Sequence, residues 1–153
     1  MAATKVGRSN IVSGSAVVIT ASAYSAMDAV GIPFPLANAT PNRGALLANA
    51  YMIESGSASG FIRAHFYSRE PSAFPTTGMP YAVQGNSGYL GHADFTAWTS
   101  AHASAGMAQI NEPNLALRGD DQSRVWVQYQ ALSGATFNAD TNRLFLFAGL
   151  LQD

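Results

Sequence analysis

Arg124-Val125-Trp126-Val127-Gln128-Tyr129-Gln130-Ala131 alternates strictly, with Val125, Val127, Tyr129 and Ala131 on one face and Arg124, Trp126, Gln128 and Gln130 on the other. A period of two is the mark of a strand with one buried face. The pattern recurs upstream, where Phe61-Ile62-Arg63-Ala64-His65-Phe66-Tyr67 sets Ile62, Ala64 and Phe66 against Phe61, Arg63, His65 and Tyr67. This places His65 on the exposed face of its strand. Residues 47–53 read as a partner strand, joined to it by the small-residue segment 54–60 as a hairpin loop. Downstream, Leu144-Phe145-Leu146-Phe147-Ala148-Gly149-Leu150-Leu151 is apolar on both faces, which suits a strand buried between two sheets or between a sheet and a partner subunit. Such a strand pins the residues after it, so Gln152 and Asp153 are expected to be ordered.

Shorter β-branched or apolar runs at 15–20, 107–110 and 114–118 add three strands. Between the strands lie breaks rich in Pro and Gly: 31–35, 70–75, 78–80 and Glu112-Pro113. Helix signals are few. Residues 22–30 have the alanine content of a helix and 94–98 the opening of a single turn, but neither carries a sustained apolar stripe. The pattern predicts an all-β chain, a jelly-roll-type β-sandwich of about eight short strands with long Pro/Gly-rich loops, a small barrel being the second choice. Residues 15–153 form the sandwich domain, and 1–14 an extended N-terminal arm.

At 153 residues the chain fits one domain. Charged residues are 11% of it, against about 25% in an average soluble protein. With a net charge of -1 there is little like-charge repulsion to oppose association, so the surface suits burial in an assembly. A sequence pI near 6.2 disfavours nucleic acid as a partner. No apolar run approaches the roughly 20 residues of a membrane span, and the N-terminus lacks a signal-peptide core, so synthesis in a cytoplasm and no membrane partner are expected. The absence of cysteine removes disulfides and thiolate chemistry.

Motifs for chemistry are weak throughout. His65, His92 and His102 have no metal-ligand spacing, and neither a metal nor a cofactor is expected. Asp94, two residues after His92, reads as a turn cap. Residues 56–60 only superficially resemble the elbow of a serine hydrolase, and Lys5, the sole lysine, lies in no phosphate-binding loop. Asp120-Asp121 reads as a turn between strands, Arg118-Gly119-Asp120 and Asn38-Ala39-Thr40 as chance matches to an adhesion tripeptide and a glycosylation sequon. No catalytic residue is assigned, and the chain is read as not an enzyme. Trp98, Trp126, Tyr67 and Tyr129 suit a glycan-binding face less well than core or interface anchors. The interface candidates are Lys5 and Arg8 on the arm, Trp126 on the polar face of its strand, and Phe145 and Phe147 in the last apolar strand.

Taken together, residues 66–75, Tyr89-Leu90-Gly91-His92-Ala93-Asp94-Phe95, 124–132 and the terminal 143–153 resemble a family of small tailed-phage virion proteins that decorate or cement the capsid. The resemblance covers roughly residues 11 to 153. It implies a jelly-roll-like fold, oligomers, often trimers, seated on the outer shell, the major capsid protein as partner, a virion location and no catalytic residues. A receptor- or glycan-binding module of a phage tail or fibre is the alternative that shares the fold.

Overall fold

The computed structural model describes residues 8–13, 17–18, 23–37, 44–54, 60–75, 77–83, 88–102, 105–136 and 143–152. Their regular structure is strands alone: β1 (Arg8–Ser13), β2 (Val17–Val18), β3 (Ala23–Tyr24), β4 (Ala29–Ala37), β5 (Gly44–Glu54), β6 (Ile62–Tyr67), β7 (Tyr89–Phe95), β8 (Trp98–His102), β9 (Ala105–Arg118), β10 (Arg124–Ala131), β11 (Ala135–Thr136) and β12 (Arg143–Gln152). Two antiparallel sheets form a sandwich. One is six-stranded, ordered β1-β12-β5-β9-β8 with β2 also on β12; the other is four-stranded, ordered β4-β10-β6-β7. A ribbon of β3 and β11 stands apart.

The core lies between the sheets, and alternation decides what enters it. From the four-stranded sheet come Val125, Val127, Tyr129 and Ala131 of β10, Ile62, Ala64 and Phe66 of β6, and Val30, Phe34 and Leu36 of β4. They meet Leu144, Leu146, Ala148 and Leu150 of β12 and Ala45, Leu47, Ala50 and Met52 of β5. In β5 the inward positions change from odd to even between Leu47 and Ala50, because the register with β9 shifts between Leu47 and Asn49. The β12–β5 register shifts at the same level, at Gly149. One bulge level therefore crosses the sheet while its inner face stays apolar up to Glu54, the buried carboxylate that ends β5 opposite Leu144.

Several expectations are corrected. β5 pairs with β9 and β12, and β6 with β10 and β7, so the strands on either side of the expected hairpin loop lie in different sheets and do not form a hairpin. The domain starts before residue 15: Arg8 to Ser13 pair with Gln152 to Phe147 in the chain's own sheet, leaving only 1–7 of the arm, which lie outside the described residues. The alanines of 22–30 make no helix, because the Asp28 carboxylate accepts from Ser25 N at 2.8 Å and Met27 takes φ 75° in a turn that feeds β4. Residues 94–98 make no helical turn either, since Asp94 and Phe95 end β7 and Trp98 opens β8. Pro33 and Pro35 do not break the chain. β4 is an edge strand, where a missing N–H costs no ladder bond on the open side, and Gly31 at φ 72° absorbs a bulge that pushes out Ile32. The runs at 107–110 and 114–118 are one strand, β9, passing through Pro113 and Asn114 at the bulge level.

Gly91 shows how tightly the two sheets close at β7. It sits in a bulge opposite Phe66 at φ 135°, and a Cβ there would lie 2.5 Å from Leu115 Cδ1 of β9. Gly91→Ala is expected to destabilise the protein by about 1–3 kcal/mol through backbone strain, read as a lower midpoint in urea. An unchanged midpoint would show that the bulge is not under this constraint.

Candidate functional site

The outer faces of the two sheets have opposite chemistry, and each is a candidate surface. On the four-stranded sheet, β6 presents Arg63, His65 and Tyr67, β10 presents Arg124, Trp126, Gln128 and Gln130, and β7 presents Tyr89, His92 and Asp94. Residues 77–81 fold back over this face: Ala29 N donates to Met79 O, Gly78 N to Ala29 O and Tyr81 N to Met27 O. The cover lays the Tyr81 ring on the His65 imidazole at 4.2 Å between centres. His65 is thus 2% exposed and not on open surface as its alternation suggested.

Beneath the cover the hydrogen bonds run in one direction. His65 Nε2 donates to Gln130 Oε1 at 2.9 Å, which leaves Nδ1 to accept from the Tyr89 hydroxyl at 3.2 Å. The Tyr89 oxygen then accepts from Nδ1 of the exposed His92 at 3.0 Å. Gln128 Nε2 donates to Pro75 O at 3.2 Å, and the Tyr67 and Tyr81 hydroxyls hydrogen-bond each other. Burial pushes the His65 imidazole down to about 4, against the Gln130 hydrogen bond, and pushes the Tyr81 phenol up. At neutral pH the imidazole is uncharged with both nitrogens engaged, so its chemistry is that of a clasp holding the cover. Asp94 grips Arg63 through two bonds of 2.6 and 2.7 Å and is a strand residue, not a turn cap; that pairing holds its carboxyl below the usual range.

Trp126, expected at an interface, is 7% exposed within its own chain, with the Arg124 guanidinium 5.2 Å from its ring centre. Its Nε1 has no partner among the described residues. Asp120 organises the turn into β10, accepting from Gln122 N, Arg124 N and Arg124 Nε, each at 2.9 Å, so the Arg118-Gly119-Asp120 aspartate is committed to structure. Lys5 lies outside the described residues; Arg8 opens β1 opposite Gln152.

The six-stranded sheet shows the contrasting face. Phe145 and Phe147 both point outward and are half-buried, while Leu144 and Leu146, which alternate with them, are fully buried. Registers align Phe145, Ile53 and Met107 in one row, Phe147, Tyr51 and Gln109 in the next, then Gly149, Asn49 and Asn111, then Leu151, Leu46 and Ala116. None of these twelve positions is charged at neutral pH. Tyr51 and Phe147 stack at 4.7 Å with 7° between planes, each ring covering a face of the other. Gln109 Nε2 donates to Asn111 Oδ1 at 2.8 Å. Rings stacked on each other across the sheet do not lie flat as an open sugar platform does, but they add apolar relief to a surface that packs on protein. Sequence reading found Phe145 and Phe147 but missed Tyr51, Asn49, Gln109 and Asn111. The alternation Asn49, Tyr51, Ile53 was available, but neutral residues carry no outward signal without the register.

No protein-family model matches the chain, and no curated protein matches its sequence. Among the described residues no group of His, Asp or Glu is arranged to hold a metal ion, and no helix is long and apolar enough to cross a membrane.

Proposed function

We propose that the chain is a structural virion protein that seats on the outer surface of a phage capsid and stabilises it by subunit packing, with a jelly-roll-type arrangement of its two sheets. The observation that carries this reading is the uncharged outer face of the six-stranded sheet, rows of Phe, Tyr, Ile, Met, Leu and amide side chains on a chain with 11% charged residues. Such a face gains by being covered. The sequence resemblance to capsid decoration proteins supplies the partner, the major capsid protein, and a homo-oligomeric state. On the other sheet His65 and Tyr67 hold the cover while Arg63 is paired with Asp94 and Arg124 with Asp120, which fits a scaffold role better than turnover of a substrate.

The test is to purify intact capsids from the virus encoding the chain and to measure its copy number and the temperature at which shells open. A fixed, saturable copy number and shells that open at lower temperature when the chain is left out are expected. Particles that form and hold equally well without it, with none of the chain bound, would sink the proposal. Retention on tails only would move it to the tail or fibre reading.

A further inference from the structure

We infer that the outer face of the six-stranded sheet is the surface on which two copies of this chain pair, face to face about a two-fold axis. This rests on the reading of the chain as an assembling structural protein and names the surface and the occupant. Charge is the first argument. None of the twelve positions in the rows from Phe145–Ile53–Met107 to Leu151–Leu46–Ala116 is charged at neutral pH; Arg118, opposite Gly44, is the first charged side chain described beyond Ala116. A partner recognised through ion pairs finds no charge in these rows to pair with, whereas the same rows of an identical copy bring no like charge against them.

Self-complementarity is the second. Asn49, Gln109 and Asn111 form an amide patch beside the Tyr51–Phe147 stack, and every amide carries both a donor and an acceptor. A two-fold axis therefore presents each copy with the groups its own amides need, as an isologous contact requires. Tyr51 and Phe147, already held against each other, enter the contact with little rotamer freedom left to lose.

Size is the third. Eight residues at about 3.4 Å by three strands at about 4.8 Å make a face of roughly 24 by 14 Å. β1 beside β12 and β8 beside β9 widen it at opposite ends. The flat three-strand area, roughly 340 Å², is under half of the roughly 800 Å² per partner of a standard interface, so the added strands and the relief of the side chains must supply the remainder. Two sheets stacked in this way lie about 10 Å apart.

The experiment is sedimentation equilibrium of the full chain from about 1 to 100 µM, with two charge variants of opposite sign. Asn49→Asp with Gln109→Glu is close to isosteric at exposed positions, so each copy should melt as the parent does when both are monomeric. The parent is expected to be dimeric, and the acidic double variant to dissociate at least about 100-fold more readily, since like charges brought together cost several kcal/mol. Ile32→Glu, on the exposed bulge of β4, should leave pairing unchanged. Mixing the acidic variant with Asn49→Lys and Gln109→Lys should restore a mixed dimer, because the two-fold axis brings the oppositely charged faces together.

A parent monomeric at 100 µM, a trimer, or an acidic variant that pairs as the parent does would each overturn the inference. Capsid occupancy is scored separately on the same proteins. A monomeric parent that still decorates capsids defeats this inference alone, while a dimeric parent that binds no capsid defeats only the proposed function.

Discussion

Phe66→Ala is expected to remove about 3–5 kcal/mol of stability, enough to unfold much of the population of a domain whose total stability is about 5–15 kcal/mol. Phe66 is fully buried on β6, between Val127 of β10 and Gly91 of β7. Both neighbours are backbone-paired to it, so the sheet cannot collapse into the space a lost ring leaves. Phe147→Ala provides the contrast. Its ring is half-buried on the outer face, so truncation removes one stack and part of a transfer free energy, about 1 kcal/mol in the monomer. Urea titrations of both variants at concentrations where the chain is monomeric should separate them by at least about 2 kcal/mol. Equal losses would mean that the inner and outer faces of the sandwich have been assigned the wrong way round.

That contrast marks where sequence reading worked and where it stopped. In β6 and β10 polar and apolar residues alternate, so the inward set Ile62, Ala64, Phe66 and Val125, Val127, Tyr129 was legible in advance, and the structure places all six in the core. In β12 both faces are apolar. Alternation then separates Phe145 and Phe147 from Leu144 and Leu146 without saying which pair faces in, and the bulkier pair proved to face out. Sidedness is also not exposure. His65 and Trp126 do lie on the outer face of their sheet, but long-range packing buries both, and residues 77–81, joined to 27–29 by backbone bonds that no local pattern announces, close over His65.

Connections were the least legible feature. The small-residue segment 54–60 suits a tight hairpin and a crossover equally well, because its composition reports backbone freedom and not which strand comes next in space. The prolines of β4 read as a break because sequence does not reveal an edge. On a central strand they would have ended it; beside β10 alone they are tolerated. The candidate interface was visible only in part for the same reason: Phe145 and Phe147 are neighbours in sequence, whereas Tyr51 and Gln109 join them through register.

Acidification provides the second large effect, and it follows from the clasp around His65. In the unfolded chain the imidazole takes its proton near 6.5; in the folded protein burial lowers this to about 4. The Gln130 hydrogen bond opposes the shift, Arg63 and His92 add to it, and Asp94 opposes it. Tyr81 from the cover and Tyr89 from β7 complete the ring of titratable groups around the imidazole. Above pH 6.5 neither state holds the proton and stability is unaffected by it. Between 6.5 and 4 the unfolded chain binds the proton and the native one does not, so stability falls as pH falls, and below about 4 this loss levels off. At 1.36 kcal/mol per pH unit the full loss is about 3 kcal/mol. Asp94 and Asp120, whose carboxyls are lowered from 3.8 by Arg63 and by the bonds from Arg124 and Gln122, add their own losses only in more acid solution. Urea midpoints for the parent should therefore drop between pH 7 and 4.5, before those carboxylates titrate. In His65→Gln, which keeps a polar side chain under Tyr81 but has nothing to protonate, the protein should start less stable and lose much less over the same interval. A slope as steep as the parent's would place the acid sensitivity outside this cluster.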